Sequence, residues 1–473
     1  MVRIAKLAFA SFFFLSNYLG CQSNMPPPQP KPAKNISFPS YTTKNLPNGL
    51  RVLIIEHHEQ PIVSIRFLVK SGSAEDGDLP GLANLTGELL AKGTKTRSAV
   101  QIAEEIDYVG GQLVSGSDWD ATYASASVLK KHLDVGTSLL ADITLDPIFS
   151  PEEIERVRQQ RLTALLQRRD DAGYLAEAKL NAAVFDGHPY AKPQIGTEQS
   201  VKALTREDFV GFHKAHFLPN NAILAVVGDI TAGEVMPRIE RLFGAWERRP
   251  LPNKSVQEPR DLGKTAVYVV EKAEAVQSAI RVGHVGIARK SDDFIPVVVL
   301  NTLLGGYFNS RINLNLREGK GYTYGAQTGF DVRKFPGPFV ASADVRNAVT
   351  DSAVTEILYE LQRIRTSTVT PEELETVKKF IVGSFPLQIE TPNQIASKAI
   401  DLELYDLPRD FYDTFNDRVD AITADDLLKA AKARLHPDRI AIVVSGNSKE
   451  IAPKLQRFGS VEVVDADGKK ISP

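Results

Sequence analysis

A guanidinium and a phenol lie seven residues apart in Asn315-Leu-Arg317-Glu-Gly-Lys-Gly321-Tyr322-Thr-Tyr324. Both groups are good hydrogen-bond donors to a carbonyl that becomes an oxyanion. Arg317 falls at the end of a helical pattern, Gly319 and Gly321 permit a tight turn, and Tyr324 is expected to start a strand. That order can aim both side chains at one point. Taken singly, each also has a plain structural role: Arg317 as a salt-bridge partner of Glu318, and Tyr324 as a packed strand residue.

Other catalytic groupings are missing. The sequence has no Gly-x-x-x-x-Gly-Lys-Ser/Thr loop to cradle phosphates and no Gly-x-Ser-x-Gly turn to present a serine. The only cysteine, Cys21, lies near the N-terminus, so no internal disulfide or cysteine-built metal cluster can form. None of the eight histidines belongs to His-Glu-x-x-His or its inverse. His213 and His216 share a helix face, but nothing nearby completes a ligand set, so they read as ordinary helix residues. His188-Pro189-Tyr190 falls in a loop and reads at least as well as packing as it does as a cleft-facing group.

The chain has 473 residues, with 56 Lys+Arg against 58 Asp+Glu, 43% hydrophobic and 24% charged residues. This is globular composition, and its charge balance gives no sign of a nucleic-acid partner. Strands are expected at 51–55 and 62–69, helices at 80–92 and 98–109, and one or two strands within 114–128. A long helix comes next at 151–168, then a helix at 205–216 with Thr205 and Asp208 at capping-box spacing, then a buried strand at 221–227. A comparable order returns as strands 266–270 and 278–285, helices 295–304 and 311–318, strands 322–330 and 339–345, helix 371–385 and strand 439–444. The ends of the two runs overlay. Ala222-Ile-Leu-Ala-Val-Val-Gly-Asp leads to a helix ending at Phe243-Gly244, and Arg439-Ile-Ala-Ile-Val-Val-Ser-Gly leads to one ending at Phe458-Gly459. The fold class is α+β, with two tandem homologous domains at 37–248 and 265–473. Each is a mostly antiparallel sheet flanked by helices, and a proline-bearing linker at 249–264 joins them.

Residues 1–21 open with Arg3 and Lys6, run through an apolar Leu7–Leu15 segment and end Gly20-Cys21. This describes a signal peptide too short to serve as a stable bilayer anchor. Its end resembles the lipobox of bacterial lipoproteins, with Tyr18 where an aliphatic residue is usual, and implies lipidation of Cys21. Residues 22–36 are rich in proline and read as an extended spacer. Gln22 stands in place of Asp. By resemblance to enterobacterial sorting, the expected location is the outer membrane, with the protein facing the periplasm.

The segment Gly81-Leu-Ala-Asn84-Leu-Thr-Gly87-Glu88-Leu-Leu-Ala-Lys-Gly93-Thr94 closely resembles the zinc helix of the pitrilysin/insulinase peptidase family, which includes the mitochondrial processing peptidase. That helix carries His-x-x-Glu-His, whose spacing puts two ligands and a water-activating carboxylate on one face. Here Asn84 stands at the first His position, Gly87 at the Glu and Glu88 at the second His. Ala164 stands where the third ligand is expected. One carboxylate is not a zinc site, so the chain itself is expected to bind no metal and the helix to persist as a packing remnant through Leu82, Leu85 and Leu89. Gly87 in its interior should weaken the helix by roughly 1 kcal/mol relative to Ala.

Further matches are His188-Pro189-Tyr190 with Gly196, Val227-Gly228-Asp229, Gln277 in a strand, and Leu304-Gly305-Gly306 with Ser310-Arg311. The family has an Arg and a Tyr at the spacing of Arg317 and Tyr324, and Tyr322 does not fit that spacing. The resemblance implies that Arg317 and Tyr324 bind the substrate carbonyl and stabilise the tetrahedral intermediate. It also implies a half-shell that pairs with a zinc-bearing sister chain around a peptide, with Zn held by that partner. An edge strand at Leu113, Val114 and Ser115 is implied as a peptide-docking edge by β-augmentation. The expected function is therefore the non-zinc subunit of a heteromeric peptidase. A catalytically inactive peptide-binding or scaffold protein of the cell envelope is the alternative. Asn84, Gly87, Glu88 and Ala164 argue against a zinc peptidase active on its own.

Overall fold

Chain segments rich in β-branched residues build two six-stranded sheets. The computed structural model describes residues 37–252 and 256–471. The signal segment, Cys21 and the whole proline-rich spacer lie outside them. The first sheet contains β1 (Thr42–Asn45), β2 (Arg51–Glu56), β3 (Ile62–Val69), β4 (Gln112–Ser117), β5 (Thr122–Leu129) and β6 (Ala222–Gly228), in the order β1-β2-β6-β3-β5-β4. The second contains β7 (Ala266–Glu271), β8 (Gln277–Val285), β9 (Ala326–Phe330), β10 (Pro338–Arg346), β11 (Ala441–Gly446) and β12 (Val461–Val464), in the order β12-β7-β11-β8-β10-β9. Five strands of one sheet therefore repeat five of the other. The sixth fills the same edge in both, but β1 precedes its half and pairs antiparallel, whereas β12 ends its half and pairs parallel. The β2–β6 and β7–β11 pairs are also parallel, and the remaining pairs are antiparallel.

Five helices frame the candidate site and hold the two halves together: α1 (Leu82–Leu89), α2 (Pro151–Arg168), α3 (Ala172–Val184), α4 (Phe294–Asn301) and α5 (Pro392–Leu404). Ser150 caps α2 from in front of Pro151. The segments expected as helices at 295–304 and 311–318 begin as α-helix but widen into π-helical turns at Thr302–Gly306 and Leu314–Gly319. The strand expected from 322 starts only at Ala326.

The two halves exchange helices. The helix α3 belongs to the first half in sequence but lies on the second sheet, against β8 and β11. Its Leu175, Ala176, Leu180 and Val184 are buried with Ala279, Val285, Ala441 and Val443. The helix α5 belongs to the second half but lies on the first sheet, against β3 and β6. Its Ile395, Ala396 and Ala399 share a buried cluster with Ile223, Ala225 and Val227. Each sheet is thus covered on one face by its own helices and on the other by a borrowed one. This explains why β6 and β11 are buried along their whole length and read as unbroken apolar runs. The described residues accordingly pack as one compact unit.

Polar groups pin the exchange. Arg51 makes a two-toothed bond to Glu403 near the end of α5, with both distances 2.8 Å. Asp120, in the β4–β5 turn, is buried and accepts from Tyr190 Oη at 2.6 Å, the Lys334 backbone N at 2.7 Å and Tyr405 Oη at 3.4 Å. Tyr190 follows α3, Tyr405 follows α5, and Lys334 lies in the β9–β10 turn, so one carboxylate gathers the ends of both exchanged helices. Burial raises the pKa of Asp120, while the Tyr190 and Lys334 donors and Arg333 act the other way. His188 and Tyr190 are both buried here, which makes His188-Pro189-Tyr190 a packing motif.

Two outcomes are expected. The first concerns the exchanged helices. Residues 37–252 produced alone should lack a cooperative unfolding transition by circular dichroism, because the first sheet loses α5. In the whole chain, Leu180→Ala should cost about 2–5 kcal/mol in urea unfolding. The second outcome concerns His284, which is 1% exposed. Its Nδ1 lies 2.7 Å from the Val285 carbonyl, its Nε2 accepts from His436 N at 3.2 Å, and burial lowers its pKa to about 3. Because an unfolded histidine protonates near pH 6.5, the native state loses stability as pH falls below that value, by about 1.4 kcal/mol per unit for this residue. The dependence of the urea midpoint on pH between 7 and 5 should therefore flatten in His284→Asn.

Candidate functional site

The N-terminus of α1 is held by Asp76, whose two carboxylate oxygens accept from Gly81 N and Ala83 N, each at 2.8 Å. One face of the helix sends Leu82, Leu85 and Leu89 into the core. Asn84 and Glu88, one turn apart, instead meet Arg161 of α2. Its Nη1 donates to Asn84 Oδ1 at 2.8 Å and to the Ile195 carbonyl at 3.4 Å, and its Nη2 donates to Glu88 Oε2 at 2.7 Å. The Arg161 side chain is 13% exposed and Glu88 36%. A permanent cation thus bridges the two positions that carry histidines in the family motif. Ala164 lies one turn further along α2 and brings no donor atom.

This donor set does not fit zinc. It offers one amide, one carboxylate already paired with a guanidinium, and a glycine, where three or four ligands are needed. Among the described residues no group of three or more His, Cys, Asp or Glu is placed to hold a metal ion. His213 bonds the Thr144 carbonyl through Nε2 at 2.9 Å and His216 is buried, so the pair serves packing. Arg161 did not stand out in sequence. The available signal was its position three residues before Ala164, on the same helix face.

Gly87 has a steric cause that helix propensity conceals. A Cβ at this position would lie 2.6 Å from the carbonyl carbon of Gly116. The helix is pressed against β4, the free edge of the first sheet, and Asn84 Nδ2 donates to the Ser117 carbonyl at 3.2 Å. The reading of Gly87 as a simple weak point is corrected: the glycine is what lets helix and strand touch. Leu113, Val114 and Ser115 lie on this edge strand, and Val114 is 52% exposed. The second half repeats the device, since a Cβ at Gly305 would run into Thr328 N on the free edge strand β9. There Thr328 Oγ1 donates to Asn301 Oδ1 of α4 at 2.9 Å.

Arg317 projects from the π-helical turn 314–319, a widened geometry common at functional sites. Its guanidinium carbon sits 4.5 Å from the centre of the Phe308 ring, and its Nε lies 3.4 Å from Glu318 Oε1. Tyr324 does not start a strand as expected. It precedes β9 by two residues, in a loop turned by Gly321 and a Thr323–Gly325 bond, and is 95% exposed. Among the described residues its hydroxyl has no hydrogen-bond partner. Tyr324 and Phe308 line one cavity of about 480 Å³, together with Gly305, Gly306 and Asn313. Phe308 thus stacks on Arg317 and lines the same cavity as Tyr324. Asn313 fixes this arrangement, since its Nδ2 donates to the Phe308 carbonyl at 2.7 Å and its Oδ1 accepts from Ala326 N at 3.0 Å. Neither Phe308 nor Asn313 stood out in sequence, where the only hint was an aromatic residue soon after Gly305-Gly306.

The Gly87 contact yields a prediction of sign. Helix propensity alone makes Gly87→Ala stabilising by about 1 kcal/mol. Overpacking against the Gly116 backbone costs about 1–3 kcal/mol. The variant should therefore unfold at lower urea concentration than the parent chain, and a higher midpoint would mean that the helix is not pressed on the strand.

Similarity to known proteins extends over both halves of the chain. The model of Insulinase (Peptidase family M16) matches residues 51–198, and that of the Peptidase M16 inactive domain matches residues 203–381. The chain is 28% identical over 361 residues to an uncharacterized zinc protease of Mycobacterium leprae, covering 75% of this chain and 80% of that protein. It is 24% identical over 406 residues to a Helicobacter pylori protein named non-peptidase homolog YmxG, covering 84% and 92%. A solved M16 inactive domain from Pseudomonas fluorescens superposes with a TM-score of 0.82 at 24% identity, over 86% of this chain and 98% of that one. A protease from Helicobacter pylori superposes with a TM-score of 0.79 at 20% identity, over 86% and 100%. With both halves matched in order, the chain belongs to peptidase family M16, the insulinase family.

Proposed function

We infer that this chain is the non-zinc subunit of a heteromeric M16 peptidase, supplying Arg317 and Tyr324 to a substrate whose metal is held by a sister chain. The observation that carries the reading is a contrast between its two halves. In the first, the seat of the family's zinc is closed by Arg161 and its hydrogen bonds. In the second, the exposed phenol of Tyr324 and the half-exposed guanidinium of Arg317 remain available beside a cavity. A guanidinium and a phenol so placed can donate to a peptide carbonyl and stabilise charge that develops on its oxygen. The name of the Helicobacter pylori relative, a non-peptidase homologue, supports a chain that does not cleave peptides alone. The signal-like leader and Cys21 support export to the bacterial envelope with a lipid anchor, most simply on the periplasmic side of the outer membrane.

A second reading, a stand-alone peptide binder or scaffold, is favoured by one observation. The edge strand β4, Gln-Leu-Val-Ser-Gly-Ser, carries no charge and no proline. Those are the usual guards against strand addition, so this edge is open to an extended peptide.

The test is reconstitution. The chain from Ser37 onward should cut no peptide alone, and mixing with an M16 chain that carries an intact zinc motif should produce turnover. In the mixture, Arg317→Ala and Tyr324→Phe should each reduce kcat by about tenfold or more. If both variants turn over like the parent, these residues have no catalytic role. If mixing never yields cleavage while the chain still binds peptides, the scaffold reading holds instead.

A further inference from the structure

The geometry points to Arg161 as a positioning residue for the peptide-docking edge, a resident organic cation that organises α1, α2 and β4 where the family uses a metal. The inference rests on the reading of β4 as that edge, and three observations carry it.

The bonds form one directed chain. Arg161 Nη1 holds the carbonyl oxygen of the Asn84 amide, which turns the Asn84 Nδ2 toward the last residue of β4, where it donates to the Ser117 carbonyl. The guanidinium thereby sets which end of the amide faces the strand. Without it, Asn84 can rotate and leave that carbonyl unpaired.

The site is also built rather than incidental. Arg161 is anchored on α1 at two positions one turn apart and on the Ile195 carbonyl, and only a planar fork reaches such a set together. The neighbouring basic residue of α2, Arg158, bonds elsewhere, to the carbonyls of Val201 and Leu204. The Gly87–Gly116 contact, finally, leaves no side chain between helix and strand, so a shift of α1 passes directly to β4. A zinc ion in this seat would need the guanidinium removed, and one carboxylate and one amide would remain to hold it. The chain has exchanged a removable cofactor for a covalently attached cation, which makes the edge independent of metal supply and of chelators.

The experiment uses the chain from Ser37 onward and, as probe, fluorescein-labelled carboxymethylated α-lactalbumin, a permanently unfolded polypeptide. Affinity is read by anisotropy with and without EDTA, and hydrogen exchange is read across residues 112–117 in the free chain and with the probe bound. The parent should bind equally in both buffers. Arg161→Met should weaken binding about tenfold and speed exchange in β4 while exchange in β9 stays as in the parent. Arg161→Lys should recover only part of the loss. Asn84→Ala should match Arg161→Met, and the double variant should be no worse than either single one, because the residues act in series. Unchanged β4 exchange in Arg161→Met, or additive losses in the double variant, would overturn the positioning role, as would faster exchange throughout the molecule. The two readings separate cleanly. If the parent shows no probe-dependent protection of 112–117, β4 is not the docking edge, while faster β4 exchange in the free Arg161→Met chain would still support the organising role of Arg161.

Discussion

Each sheet of this protein has two apolar faces, and its own half of the chain covers only one. That constraint governs the rest of the molecule. Burying apolar area is the main favourable term in folding, so the second face must find cover, and it finds it in a helix from the other half. Leu180 lies against Gly283, and Ile395 against the β3–β6 region, because each helix completes a core it does not belong to in sequence. Neither half is then a self-sufficient body. The linker at 249–264 joins two sheets whose relative placement the exchanged helices and Asp120 already decide.

The same economy of contacts shapes the two edges that face outward. In both halves a helix presses a glycine onto the free edge strand and steadies it with an asparagine: Gly87 and Asn84 against β4, Gly305 and Asn301 against β9. Duplication preserved this device while the chemistry beside it diverged. In the first half the helix carries a guanidinium bridge. In the second the chain widens into π-helical turns and presents Arg317, Phe308 and Tyr324. In the first half, Arg161 joins α2 to α1 by hydrogen bonds from one side chain.

Much of this was legible in sequence, for physical reasons. Strands and helices follow from periodicity, and one helix start from the capping-box spacing of Thr205 and Asp208. The duplicated order follows because the same burial pattern recurs. That Asn84 and Gly87 offer no usual zinc ligand and Glu88 only one carboxylate is a matter of donor chemistry, which residue types alone decide. Arg161 was not legible, because an arginine on a charged helix is ordinarily a solvated one, and only the approach of α1 gives it partners. Gly87 was misjudged for a related reason: propensity describes a helix by itself, whereas its role depends on Gly116, 29 positions away in the chain. Tyr324 looked like a strand residue because its surroundings are rich in β-formers. The turn bond of Thr323 and the pairing that starts at Ala326 place it in the open.

By itself, then, the sequence determined the fold class, the duplication and the family, all of which rest on local pattern and residue chemistry. Tertiary structure alone decided which helix covers which sheet, what Asn84 and Glu88 bond to, and which ring stacks on Arg317. Those outcomes depend on contacts between segments far apart in the chain, and such contacts are set by where apolar faces and buried charges must find partners, which no local window records.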